Sequence, residues 1–156
     1  MHAKLSFAFR IALGGIFLTA GLAKISDPVQ FLQTLREFDF FPEFCIRFIA
    51  VYIPWLEFVL GFFMLLGLLY RTSALLLTAI NILFILAILS VLIRGMEIDC
   101  GCFGLMADVL KLPDSADMKA VIRNTIFVLM GLHLCRSEAT IFSLEEYLRK
   151  SAGKSE

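Results

Sequence analysis

Four stretches of this chain are apolar for long enough to cross a bilayer. They cover residues 5–23, 48–69, 73–93 and 120–134. A crossing helix needs about 20 predominantly apolar residues. The fourth stretch is the shortest, and it spans only if Arg123 and Arg136 reach toward opposite surfaces. Lipid offers no partners to backbone N–H and C=O groups, so each stretch must close its hydrogen bonds internally, as a helix. The pattern predicts an all-α integral membrane four-helix bundle over 1–136, with a charged tail over 137–156. An even number of spans puts both termini on one side.

The connections differ in character. Residues 70–72 read as a tight hairpin between the second and third spans. Residues 24–47 are longer and contain a helix start, with Asp27 at the N-cap and Pro28 at the first helical position. Val29, Phe31, Leu32, Leu35 and Phe38 then share one face, and Gln30, Gln33, Arg36 and Glu37 lie elsewhere. This predicts a short amphipathic interfacial helix between spans one and two, lying on the membrane surface. The last long connection, 94–119, carries Gly95, Gly101, Gly104 and Pro113. The first span also resembles a secretory signal peptide. The polar stripe described below favours a retained helix.

Composition agrees. Hydrophobic residues make up 60% of the 156 residues and charged ones 18%, with a mean hydropathy of +0.87. A soluble domain is about 45–50% apolar and about 25% charged. The excess excludes an ordinary cytosolic enzyme, a disordered chain and a small disulfide-stapled secreted domain. Fourteen Lys and Arg balance fourteen Asp and Glu, so there is no electrostatic footprint for nucleic acid. Basic residues divide almost evenly between the two sides, and the positive-inside rule fixes no orientation.

Polar residues inside the spans follow helical spacing. Arg10, Gly14, Phe17, Gly21 and Lys24 recur at intervals of four and three, which places them on one stripe. Pro54, Glu57, Gly61 and Met64 form a matching stripe on the second span. Glycines on such stripes permit close helix approach. A bare carboxylate at the depth of Glu57 is costly, so it should face the interior, with Arg10, Lys24 or Arg123 as its partner. Two roles stand for it: a lock between helices, or a proton relay or contact for the head group of a membrane quinone. Asn81 and Asn124 are expected in the interior, hydrogen bonding between helices.

The remaining candidate chemistry lies in the cysteines. Cys100 and Cys102 sit in Asp99-Cys100-Gly101-Cys102-Phe103-Gly104, just beyond the third span. Joining them requires a sharp turn with Cα atoms about 4.4–6.8 Å apart, and Gly101 supplies the backbone freedom. A strained, exposed disulfide passes its oxidising equivalents on readily. The pair therefore reads as a dithiol/disulfide switch, attacked by a partner thiolate and discharging electrons toward a membrane carrier. The competing reading is two inert reduced thiols. A structural zinc site is not expected, because such sites need about four ligands and the histidines, His2 and His133, lie at the other side. Cys45, in the first long connection, is either a shuttle thiol for the pair or a lone buried one. Cys135 lies a membrane thickness away. Disulfide chemistry needs an oxidising compartment, which would make the long loops periplasmic and both termini cytoplasmic.

These residues together resemble the MauE/DoxX family of small bacterial membrane proteins. The resemblance runs through Arg10, Leu13-Gly14, Phe17, Ala20-Gly21, Lys24-Ile25, Asp27-Pro28 and Phe31. It continues through Pro54-Trp55-Leu56-Glu57 and Gly61, then Arg94-Gly95 and the Asp99–Gly104 block. That last block points to the MauE branch. The resemblance implies a four-helix inner-membrane bundle that assists disulfide formation in the periplasmic small subunit of methylamine dehydrogenase. DoxX proteins are linked instead to sulfur-compound oxidation. The architecture is also similar to quinone-linked disulfide generators of the DsbB and vitamin K epoxide reductase type. This chain departs from those in having Cys-x-Cys, not Cys-x-x-Cys, and no second cysteine pair. Two functions follow as expectations. The first is a membrane thiol–disulfide redox protein serving a periplasmic thioredoxin-like protein or client polypeptide, with a membrane quinone as candidate cofactor. The second is a non-catalytic membrane anchor or assembly subunit of another oxidoreductase.

Overall fold

The computed structural model describes residues 2–39, 42–95 and 118–137. Five helices are present among them: α1 (His2–Ser26), α2 (Pro28–Glu37), α3 (Glu43–Leu66), α4 (Tyr70–Arg94) and α5 (Met118–Arg136). All except α2 are long and apolar enough to cross a membrane. The protein is thus an all-α, multi-pass membrane bundle with the lipid bilayer as its environment. The fourth span is longer than its apolar stretch, because α5 recruits Met118 and Lys119 at one end and Cys135 and Arg136 at the other.

The spans form two close pairs, α1 with α3 and α4 with α5, and the pairs meet less extensively. The α1–α3 pair is close because its crossing is built on glycine. A Cβ on Gly21 would lie 2.7 Å from the Phe58 nitrogen and 2.8 Å from the Pro54 oxygen. A Cβ on Gly61 would lie 2.7 Å from the Leu18 nitrogen. Any side chain there meets backbone, which cannot rotate away. Pro54 sits inside α3, on its buried stripe with Glu57, Gly61 and Met64. Between the two pairs lies an apolar core that includes Leu13, Phe17, Leu60, Met64, Leu77 and Leu134.

The predicted amphipathic helix is α2. Asp27 Oδ1 accepts a hydrogen bond from the Gln30 N–H at 3.0 Å, and Pro28 opens the first turn. Its apolar face turns onto the bundle. Phe31 and Leu35 pack with Ile46 and Ala50 of α3, and Phe38, just past the helix, packs with Ala87, Ile88 and Val91 of α4. Val29, expected on that face, is 62% exposed. It leads the helix and points away from the bundle.

The hairpin between α3 and α4 lies three residues earlier than the sequence reading placed it. Gly67 adopts a left-handed conformation at φ 72° and Leu69 another at φ 46°, while Tyr70, Arg71 and Thr72 already belong to α4. The leucines around Gly67 read as span, but glycine's tolerance of positive φ ends the helix there. At this end of the bundle a polar knot joins three helices. Ser6 Oγ lies 2.8 Å from Ser137 Oγ, and the Tyr70 hydroxyl and the Arg71 guanidinium donate to the Ser137 carbonyl at 3.2 and 2.8 Å.

A methyl group at the glycine crossing is expected to destabilise the bundle, and one nearby is not. Gly21→Ala should cost about 1–3 kcal/mol through overpacking. Gly15→Ala, which has nothing within 4 Å of its added carbon, should stay within about 0.5 kcal/mol of the parent. Thermal unfolding in detergent measures both. Equal stabilities would show that the backbones do not approach as described.

Candidate functional site

Lys24 stands near the end of α1, where a lysine ordinarily extends toward water. Cα–Cβ bonds tilt toward the helix N-terminus, so here the side chain runs back into the bundle. Its Nζ lies 2.6 Å from Glu57 Oε2 of α3, and the two side chains are 3% and 2% exposed. The ammonium also faces two aromatic rings, Phe31 of α2 at 5.4 Å and Phe84 of α4 at 5.3 Å from the ring centroids. One cation is thereby held by a carboxylate and two ring quadrupoles from three other helices. Of the three partners expected for Glu57, the structure selects Lys24. Arg10 is 1% exposed and its guanidinium lies 5.2 Å from the Phe7 centroid. It stands about 21 Å from Lys24 along the same helix at 1.5 Å per residue, toward the opposite surface.

Beside the pair is a cavity of about 30 Å³ lined by Lys24, Glu57, Asn81, Arg123 and Asn124, with Phe17, Phe84 and Phe127 among its apolar walls. Arg123, expected either to reach toward a surface or to partner Glu57, is half-buried and lines both this cavity and the outer side of α5. Asn81 Nδ2 donates to the Asn124 carbonyl at 2.9 Å, joining α4 to α5. Asn124 is itself 4% exposed, and its Nδ2 has no hydrogen-bond partner among the described residues. The volume suits one or two waters. It does not enclose a quinone ring.

The cysteines are distributed as follows. Cys45, unbonded among the described residues, is a half-buried thiol in the first turn of α3, about 18 Å along the helix from Glu57. Cys135 is a half-buried free thiol at the far end of the bundle, its Sγ 3.8 Å from the Arg71 carbonyl. Asp99, Cys100, Gly101, Cys102, Phe103 and Gly104 lie outside the described residues. The chain enters that segment from Arg94, the last residue of α4. Arg94 is tied to the end of α2 by a 3.3 Å contact with Asp39. No metal-binding cluster occurs among the described residues.

Sequence reasoning brought Lys24 and Glu57 forward but missed Phe31 and Phe84 as their neighbours. The signal for Phe31 was its place on the apolar face of α2. For Phe84 there was none, because it is one of many rings in a uniformly apolar span. The orphaned amide of Asn124 was equally invisible, since one sequence does not show which polar groups find partners.

Fold and site together define a small four-span membrane protein organised around a buried cation–carboxylate pair. A family model described as methylamine utilisation protein MauE matches residues 2–136. The chain belongs to the MauE family. It is 29% identical over 127 residues to the methylamine utilization protein MauE of Paracoccus denitrificans, an alignment covering 81% of this chain and 66% of that relative. No solved structure matches.

The pair makes a thermodynamic prediction. Lys24→Met leaves a buried carboxylate without its cation and should cost about 3–5 kcal/mol. The double variant Lys24→Met/Glu57→Leu removes both charges and should return to within about 1 kcal/mol of the parent. Unfolding in detergent checks this, and a double variant as unstable as the single one would refute mutual dependence.

Proposed function

We propose that this protein serves methylamine utilisation as an inner-membrane component that supports disulfide formation in a periplasmic partner through Cys100 and Cys102. The observation that carries the reading is the family match across all four spans, in a chain that places Cys-Gly-Cys shortly after the third. In this reading the long connections face the periplasm and both termini face the cytoplasm, because a lasting disulfide needs an oxidising compartment.

The exchange is conventional thiol–disulfide chemistry. A partner thiolate attacks one sulfur of a Cys100–Cys102 disulfide and forms a mixed disulfide, releasing the other cysteine as a thiol. The partner's second thiolate then displaces the remaining sulfur. The partner gains a disulfide and loses two electrons and two protons, and Cys100 and Cys102 are left reduced. Gly101 permits the turn that closing the small ring requires, and ring strain favours handing the oxidising equivalents on. Asp99, Phe103 and Gly104 flank the pair in sequence, and Cys45, in the first turn of α3, is a candidate shuttle thiol for it. The Lys24–Glu57 pair, with Phe31 and Phe84 against the ammonium, holds α1 and α3 to α2 and α4. The client is a thioredoxin-like protein or the small subunit of methylamine dehydrogenase.

Replacing Cys100 or Cys102 with Ser should leave the protein in the membrane at the parent level. It should lower the disulfide content of the small subunit severalfold, read by mass spectrometry after alkylation. Full disulfide content in both variants would instead make the protein a non-catalytic anchor or assembly subunit.

A further inference from the structure

Lys24 satisfies Glu57 on one side only. Glu57 Oε2 receives the ammonium, and the other carboxylate oxygen, Oε1, has no hydrogen-bond partner among the described residues. An ionised carboxylate accepts up to about four hydrogen bonds. Asn124 of α5 borders the same cavity. It is 4% exposed, and its Nδ2 also lacks a partner among the described residues. Asn81 of α4 donates from its Nδ2 to the Asn124 carbonyl, and its own side-chain oxygen accepts nothing among the described residues. Acceptors on α3 and α4 and a donor on α5 therefore border one space without bonding to one another.

That space lies deep in the bundle. Glu57 is about 21 Å along α3 from Glu43 and about 14 Å from Leu66. Hydrocarbon has no hydrogen-bonding groups to offer at that depth. Leaving these groups bare would cost each its full desolvation penalty. An occupant must donate and accept at once, because the free groups are of both kinds. A cation finds acceptors there but leaves the Asn124 donor bare. A halide suits Asn124 but is set against the free oxygens of Glu57 and Asn81. The volume of about 30 Å³ admits one or two molecules of a single heavy atom, since a water needs about 10–15 Å³ by this measure. An internal water ordinarily makes about three hydrogen bonds, and three free partners border this cavity.

We infer that the cavity is an internal water site, in which one or two water molecules donate to Glu57 Oε1 and accept from Asn124 Nδ2. The bridge joins α3 to α5, two spans that make almost no direct contact, and Asn81 adds α4 to it. It thereby links the two close helix pairs through hydrogen bonds where packing does little. It also sets beside Glu57 a group that can exchange protons with it inside the membrane. The site is independent of the thiol chemistry proposed above.

The test uses the full chain, labelled with heavy carbon and nitrogen and reconstituted in phosphatidylcholine bilayers. Solid-state NMR with magnetisation passed from water protons should reach the Glu57 carboxyl carbon and the Asn124 side-chain nitrogen at short mixing times. Leu60 and Leu77, in the apolar core, should receive severalfold less. Asn124→Leu should cut the transfer to Glu57 severalfold, and Asn124→Ser, which keeps a donor, should restore most of it. The Cys100→Ser/Cys102→Ser variant should match the parent. Transfer to Glu57 and Asn124 from lipid acyl protons in place of water, or no transfer to either from water, would overturn the inference, and the parent spectrum alone decides this. Transfer to Glu57 that is unchanged in Asn124→Leu would overturn it as well.

Discussion

A lysine and a glutamate facing one another inside lipid constrain every other element of this fold. Neither charge is tolerable alone in hydrocarbon. Their 2.6 Å contact therefore decides how α1 and α3 are set along their lengths. The same contact depends on the glycine crossing. Gly21 stands one turn before Lys24 and Gly61 one turn after Glu57, so the positions that let the backbones approach flank those that hold the charges. A bulkier residue at either glycine would separate the helices and leave Lys24 short of its partner. Close packing and charge pairing are one arrangement described at two scales.

The ammonium also recruits the elements that cover it. Phe31 brings α2 over the end of the bundle and Phe84 brings α4 alongside. The amphipathic helix thus spends most of its apolar face on protein, and only its leading edge at Val29 turns outward. Salt bridges from Arg36 to Glu43 and from Arg94 to Asp39 hold the end of α2 to α3 and α4. Those contacts are exposed and contribute little individually, but they act where the chain leaves α4 for the cysteine segment. At the other end, the Ser6–Ser137–Tyr70–Arg71 knot ties α1 to α4 and α5. The bundle is fastened by polar contacts at both ends and by apolar packing between them.

Much of this was legible from spacing alone. The interval pattern of Arg10, Gly14, Phe17, Gly21 and Lys24 identified the buried stripe of α1, and Pro54, Glu57, Gly61 and Met64 identified that of α3, because a charge or a glycine is conspicuous in an apolar span. Asp27-Pro28 announced α2 through its capping chemistry. The partner of Glu57 was not legible, since Arg10, Lys24 and Arg123 were all plausible until the helix offset was known. Arg123 was read both as reaching toward a surface and as a partner for Glu57; it is half-buried and lines both the inner cavity and the outer side of α5. The α3–α4 turn was misplaced because hydropathy does not distinguish a leucine in a helix from Leu69 with positive φ.

The family relation gives this scaffold its functional setting, and the cysteines give it a proposed chemistry at the lip of the bundle. The most direct measurement is mass-tag alkylation of intact spheroplasts with a membrane-impermeant maleimide, before and after a mild reductant. Cys100 and Cys102 should take the label only after reduction, as a disulfide open to the outer face, while Cys135 stays unlabelled until the membrane is broken. Labelling of both without reductant, or protection of both until lysis, would contradict the account.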